Sequence, residues 1–175
     1  MKRKFIICVL IWLLFILQTS VFRRLDLIAV APNLLLILTV SIGFMQGRSE
    51  GIMTGFAAGL LIDLSYGDLV GFHALLYLWV GFFCGRYRDI FCDEDIKVPL
   101  LLVGGCDIAY NTAIYAARFL MRGRLEFGYY ARHVILPEAV WTVLIAIVLY
   151  RLIYLLNHAL VEKEKEGRQS LWIRD

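Results

Sequence analysis

Gly51-Ile52-Met53-Thr54-Gly55-Phe56-Ala57-Ala58-Gly59-Leu60-Leu61-Ile62-Asp63 is the stretch on which the architecture turns. Glycine returns at every fourth position, and the pattern reaches back through Gly47 to Gly43. On a helix Gly51, Gly55 and Gly59 fall on one face that drifts by about 40° per step. Such a face lets another backbone approach closely, a common device where helices meet in lipid. Two uses are open: a docking face for a partner protein, or a seam inside the same bundle. Asp63 continues the face four residues beyond Gly59. A carboxylate near a membrane-helix end is costly to bury. Asp63 therefore holds the turn-forming loop Ser65-Tyr66-Gly67-Asp68, meets a partner, or rests at the interface.

The purely apolar part of this stretch covers only about 18 Å as a helix, short of a hydrocarbon core of about 30 Å. Arg48 and Glu50 precede it and must snorkel if the segment is to cross. The alternative is a re-entrant hairpin formed with the segment that follows.

Outward from this stretch the chain is almost continuously apolar. Hydrophobic residues make up 61% of the 175 residues, charged residues 19%, and the mean hydropathy is +0.73. A water-soluble domain of this size cannot bury so much apolar surface, so the solvent is bilayer. The spans fall at about 5–22, 27–46, 47–64, 69–85, 98–120 and 134–156. The expectation is an all-α polytopic membrane protein: a six-helix transmembrane domain over 1–156 and a cytoplasmic tail over 157–175. The apolar run after Met1-Lys2-Arg3-Lys4 continues to Phe22 without a good cleavage site, so it reads as an uncleaved first helix. With the N-terminus inside, twelve Lys and Arg fall on the inner side and six on the outer, which favours both ends in the cytoplasm.

No loop is long enough for a soluble catalytic domain. HExxH, P-loop, GxSxG and Asp-rich metal signatures are missing from the sequence. Cys8, Cys84, Cys92 and Cys106 form no CxxC pair and read as reduced packing residues. The net charge of +3 reflects loop topology, not nucleic-acid binding. The chain therefore reads as a non-enzyme without cofactor or metal. A membrane enzyme acting on lipid head groups lacks paired His or Asp spacing.

Polar residues inside the spans are the remaining candidates. Asp107, Asn111 and Arg118 share a wedge of about 40° on the fifth helix. They line a substrate or proton path, bond between helices, or contact a partner. Pro32-Asn33 and Pro137-Glu138 stand in the first parts of the second and sixth spans. Each is a helix N-terminus with favourable polar neighbours, or a broken helix of the kind that forms transporter sites. The mix of arginine with Phe127, Tyr129 and Tyr130 suits an interface with anionic lipid head groups.

Taken in order, Pro32-Asn33, Gly51, Gly55-Phe56, Gly59-Leu60, Asp63, Gly67, Gly71, Ala74-Leu75 and Leu136-Pro137 resemble the rod shape-determining protein MreD family. That resemblance implies a six-helix fold similar to the S-components of energy-coupling-factor transporters. It also implies a scaffold subunit of the cell-elongation machinery in the bacterial inner membrane. The subunit would bind MreC directly and, through it, join MreB filaments to RodA and a penicillin-binding transpeptidase. The rival is a substrate-binding membrane subunit of a vitamin-type transporter, with Asp63, Asp107 and Asn111 lining its pocket.

Overall fold

The computed structural model describes residues 2–21, 32–66, 70–88, 97–122 and 127–172, and every regular element among them is helical. Helix α1 is Lys2–Ile16, closed by a π turn over Leu17–Val21. Then come α2 (Leu34–Gln46), α3 (Arg48–Tyr66), α4 (Phe72–Arg88) and α5 (Lys97–Arg122). A short α6 (Phe127–Tyr130) passes through a π turn (Ala131–Ile135) into α7 (Leu136–Trp172). The stretches 3–20, 97–117 and 128–159 are long and apolar enough to cross a membrane.

The core is α2. Its residues from Leu34 to Phe44 are all buried, including Leu35, Leu36, Ile37 and Leu38 at 0% exposure. The helix is only about 20 Å long, and α1, α3, α4, α5 and α7 all pack against it. Thr39 and Ser41 are satisfied within this apolar helix, because each hydroxyl donates to the carbonyl four residues back (Leu35 and Ile37).

A single residue reverses the chain between α2 and α3. Gly47 has φ +94°, a conformation that only glycine adopts freely, and its N–H donates to the Gly43 carbonyl. The glycine face of α3 then lies against α4. A Cβ on Gly55 would strike the Tyr77 carbonyl, and one on Gly59 would strike Ala74. Gly51 meets Gly43 of α2 and Gly81 of α4, while Gly85 lies against Arg48. Each four-residue step along α3 is matched by a similar step back along α4, so the two helices run antiparallel in register. Backbone contact replaces side-chain interdigitation here, as in small-xxx-small seams. The fourth segment carries its own half of this seam, Gly81-x3-Gly85, a signal readable in the sequence but overlooked beside the longer run on α3.

The observed elements correct several expected boundaries. The second helix starts at Leu34, because Pro32 lacks an N–H and Asn33 caps the first turn. Helical structure around Pro137 begins well before 134. Pro137 follows a π turn in which the Leu136 N–H reaches the Ala131 carbonyl, and that wider turn takes in the residue with no N–H. Pro137 is therefore the second residue of α7, within a helical run that already begins at Phe127. Helix α3 is one unbroken helix of 19 residues, about 28 Å long. Cys84 and Cys106 are free thiols packed 3.7 Å apart between α4 and α5. Cys92, Arg23, Arg24, Gly67, Asp68 and the Arg118 side chain lie outside the described residues.

The seam makes a direct prediction. Gly55→Ala forces a methyl into the α4 backbone and should destabilise the protein by about 2–3 kcal/mol. A Cβ on Gly105 meets nothing within 4 Å, so Gly105→Ala should be neutral or stabilising by up to about 1 kcal/mol. Thermal unfolding in detergent distinguishes the two.

Candidate functional site

The two ends of the bundle differ in character. At one end Arg3 and Gln46 both donate to the Asn157 side-chain oxygen, and Lys4 faces Glu50 at 3.9 Å. Arg48 covers the Phe82 ring at 5.1 Å. These are interface-type contacts, and an exposed ion pair of this kind contributes less than about 1 kcal/mol.

At the other end two helices begin inside protein, where the N–H groups of a first turn must find partners. For α2 they do so completely. Leu34 donates to the Pro32 carbonyl, Leu35 to the Gln18 side chain at the end of α1, Leu36 to the Asn33 side chain and Ile37 to the Asn33 carbonyl. The Asn33 N–H itself donates to the Thr142 hydroxyl of α7 at 3.2 Å, and the Tyr77 hydroxyl of α4 donates to the Asn33 side-chain oxygen. One asparagine therefore ties α2 to α4 and α7.

For α4 the cap comes from another helix. The Asp63 carboxylate, fully buried at the end of α3, accepts from the N–H groups of Gly71 (2.9 Å), His73 (3.1 Å) and Ala74 (3.0 Å). Its fourth partner is the His73 ring, whose Nδ1 lies 2.8 Å from Oδ1. Gly71 sits at φ +102°, which lets the chain fold back onto the carboxylate. The negative charge also faces the positive end of the α4 dipole. Asp63 thus binds the first turn of the helix that follows it.

Between these caps lies a cavity of about 230 Å³. Asn33, His73, Tyr110, Asn111, Tyr130 and Glu138 contribute to its wall, and Gln18, Thr19 and Phe15 close the side formed by α1. Tyr110 stands edge-on to Tyr77, with ring centroids 5.1 Å apart. Glu138 lies against Asn111 and near Asp107. Asp107 is 0% exposed and faces Asn33 and Thr142, yet neither of its oxygens has a hydrogen-bond partner among the described residues.

The structure thus gathers Asn33, Asp63, Asp107, Asn111 and Pro137, through its neighbour Glu138, at one end. Gly51, Gly55 and Gly59 run away from that end along the seam, where α4 covers them. A partner protein cannot dock there while α4 is in place, which removes one of the two uses open to that face. Of the three residues expected to line a pocket, only Asn111 does so; Asp63 caps α4 and Asp107 lies behind Asn33, outside the cavity wall. Sequence reading passed over His73, Tyr77, Tyr110 and Thr142. The spacing His73-x3-Tyr77 on the helix just after Gly71 is the signal that could have found two of them.

A family model described as rod shape-determining protein MreD matches residues 1–160. The chain belongs to the MreD family. No curated protein and no solved structure matched it. MreD proteins are membrane proteins of the rod-shape system that includes MreB and MreC, with a structural role in shape determination.

The Asp63 cap gives a second prediction. Asp63→Ala strands three backbone donors and the His73 ring and should destabilise by about 3–5 kcal/mol. Asp63→Asn keeps an acceptor and should lose clearly less. Denaturation midpoints in detergent, with protease sensitivity between α3 and α4 as a local readout, check the order.

Proposed function

We propose that this MreD-family chain is the integral scaffold of a cell-elongation complex, binding MreC and positioning peptidoglycan synthesis in the bacterial inner membrane. The family match over 1–160 carries this reading. The geometry supports it: the glycine seam, Asn33 and Asp63 are engaged in holding the bundle together, while α1, α4 and α7 present apolar outer faces. Trp12, Trp79, Trp141 and Val148 are among the exposed side chains there, available to lipid or to a partner's membrane helix. MreB, RodA and a penicillin-binding transpeptidase would be joined through MreC.

The same reading takes α1 to α5 and α7 as six alternating crossings with both termini in the cytoplasm. Its support is that Arg3, Lys4, Arg48 and Asn157 meet at one end, whereas Gln18, Asn33, His73 and Glu138 meet at the other. The cavity then lies toward the outer leaflet. A second reading, a substrate-binding subunit of a small-molecule transporter with an S-component-like fold, draws on that cavity.

Depletion with microscopy separates the two. The scaffold reading expects rod cells to round up, and MreC to be recovered with the tagged chain from detergent extracts. Normal shape with a new nutrient requirement would favour transport. For orientation, a fluorescent-protein fusion at the C-terminus should fluoresce, and an alkaline phosphatase fusion there should be inactive. An active phosphatase would invert the topology.

A further inference from the structure

We infer that the cavity between α1, α2, α4, α5 and α7 is a binding site for a small ammonium group, either a free amine or the head group of a lipid. Three observations converge. First, Asp107 is fully buried with neither carboxylate oxygen bonded among the described residues, and it faces Asn33, which lines the cavity. A buried carboxylate is expensive in a membrane interior, and a cation in the adjoining cavity, across Asn33, lowers that cost. Second, Glu138 adds a carboxylate from the cavity wall, and no lysine or arginine contributes to that wall among the described residues. Third, the other groups suit a cation. His73 is held at Nδ1 by Asp63, which leaves Nε2 as an acceptor in the neutral ring. Tyr110 and Phe15 supply aromatic walls of the type that attract ammonium groups.

Size selects the ligand. The volume of about 230 Å³ is below the range of about 300–1,000 Å³ that takes drug-sized molecules. A compact charged group fits, and a large cofactor does not. The aromatic walls favour an organic cation over a bare metal ion, which would need a tighter cage of oxygens. The cavity lies between helices of the bundle, so its occupancy can be read separately from MreC binding.

The experiment uses the full chain in nanodiscs of phosphatidylglycerol alone. Ethanolamine hydrochloride and choline chloride are titrated at constant sodium chloride, and the unfolding midpoint is followed. Dimethylbutanol, the uncharged carbon isostere of choline, is the control. A saturable rise with ethanolamine or choline and none with dimethylbutanol supports the site. Glu138→Gln should raise the half-saturating concentration by about tenfold or more, and Asp107→Asn, one residue behind the wall, should raise it by less. Because either variant could fold poorly, the comparison of choline with its isostere on the unaltered chain stands alone as a test. Nanodiscs containing phosphatidylethanolamine distinguish the source. If the head group is the ligand, the protein there is already stabilised and no longer responds to free ethanolamine. If free amine is the ligand, the response persists. The inference is overturned by the absence of any saturable shift, by equal effects of choline and dimethylbutanol, or by the same rise from sodium chloride alone. MreC co-purification is scored on the same preparations, so loss of the site and loss of the scaffold function are read separately.

Discussion

Two helices of this protein begin against buried polar side chains, Asn33 and Asp63, and the structure depends on how their first N–H groups are satisfied. A buried, unsatisfied amide costs about 1–3 kcal/mol, and each helix start offers several. The solution differs at the two sites. Helix α2 uses neutral side chains, Asn33 from its own cap and Gln18 from α1. Helix α4 uses a carboxylate from α3, with Asp63 accepting three backbone bonds and the His73 ring. Both solutions take a side chain from a neighbouring element, Gln18 from the turn that closes α1 and Asp63 from α3, so the caps fix how neighbouring helices sit relative to each other as well as closing each helix.

The glycine seam supplies the other half of that constraint. Asp63 reaches the start of α4 only because α3 and α4 run in register along their lengths, and the register comes from backbone contact at Gly51, Gly55 and Gly59. A side chain in the seam would push α4 outward and pull its first turn off the carboxylate. Seam and cap are thus one device, and damage at the glycines should be felt at Asp63, four residues beyond Gly59. The same register brings Tyr77 under Asn33, so α2 is held by the seam through α4.

Membrane residence and the glycine face were legible because both depend on local pattern: long apolar runs, and glycine at a spacing of four. Asn33 as a residue of a helix start was also within reach, since it acts on the turn that follows it in the chain. What sequence could not show is the set of distant pairings. Thr142 meets Asn33 across 109 positions, and nothing local marks it out from other threonines. The destination of the glycine face was equally hidden, because a seam and a docking surface demand the same residues and differ only in what arrives. Pro137 misled for a related reason. A proline marks a helix start unless a wider turn precedes it, and the π turn over Ala131–Ile135 leaves no composition signature.

Structural duty accounts for Asn33 and Asp63 but not for Asp107. Asp107 has only the Asn33 and Thr142 side chains as polar neighbours, and a bundle that only had to stand in lipid could fill that position with an apolar side chain. The same helix does so one turn away: Val103, four residues earlier on α5, is fully buried and apolar. A carboxylate retained in such a place, beside Glu138 and a polar cavity, is better explained by what the cavity holds than by the packing of the helices around it. The inside and the outside of the bundle then carry separate tasks: apolar outer faces for lipid and partner helices, and a small acidic interior for a charged guest.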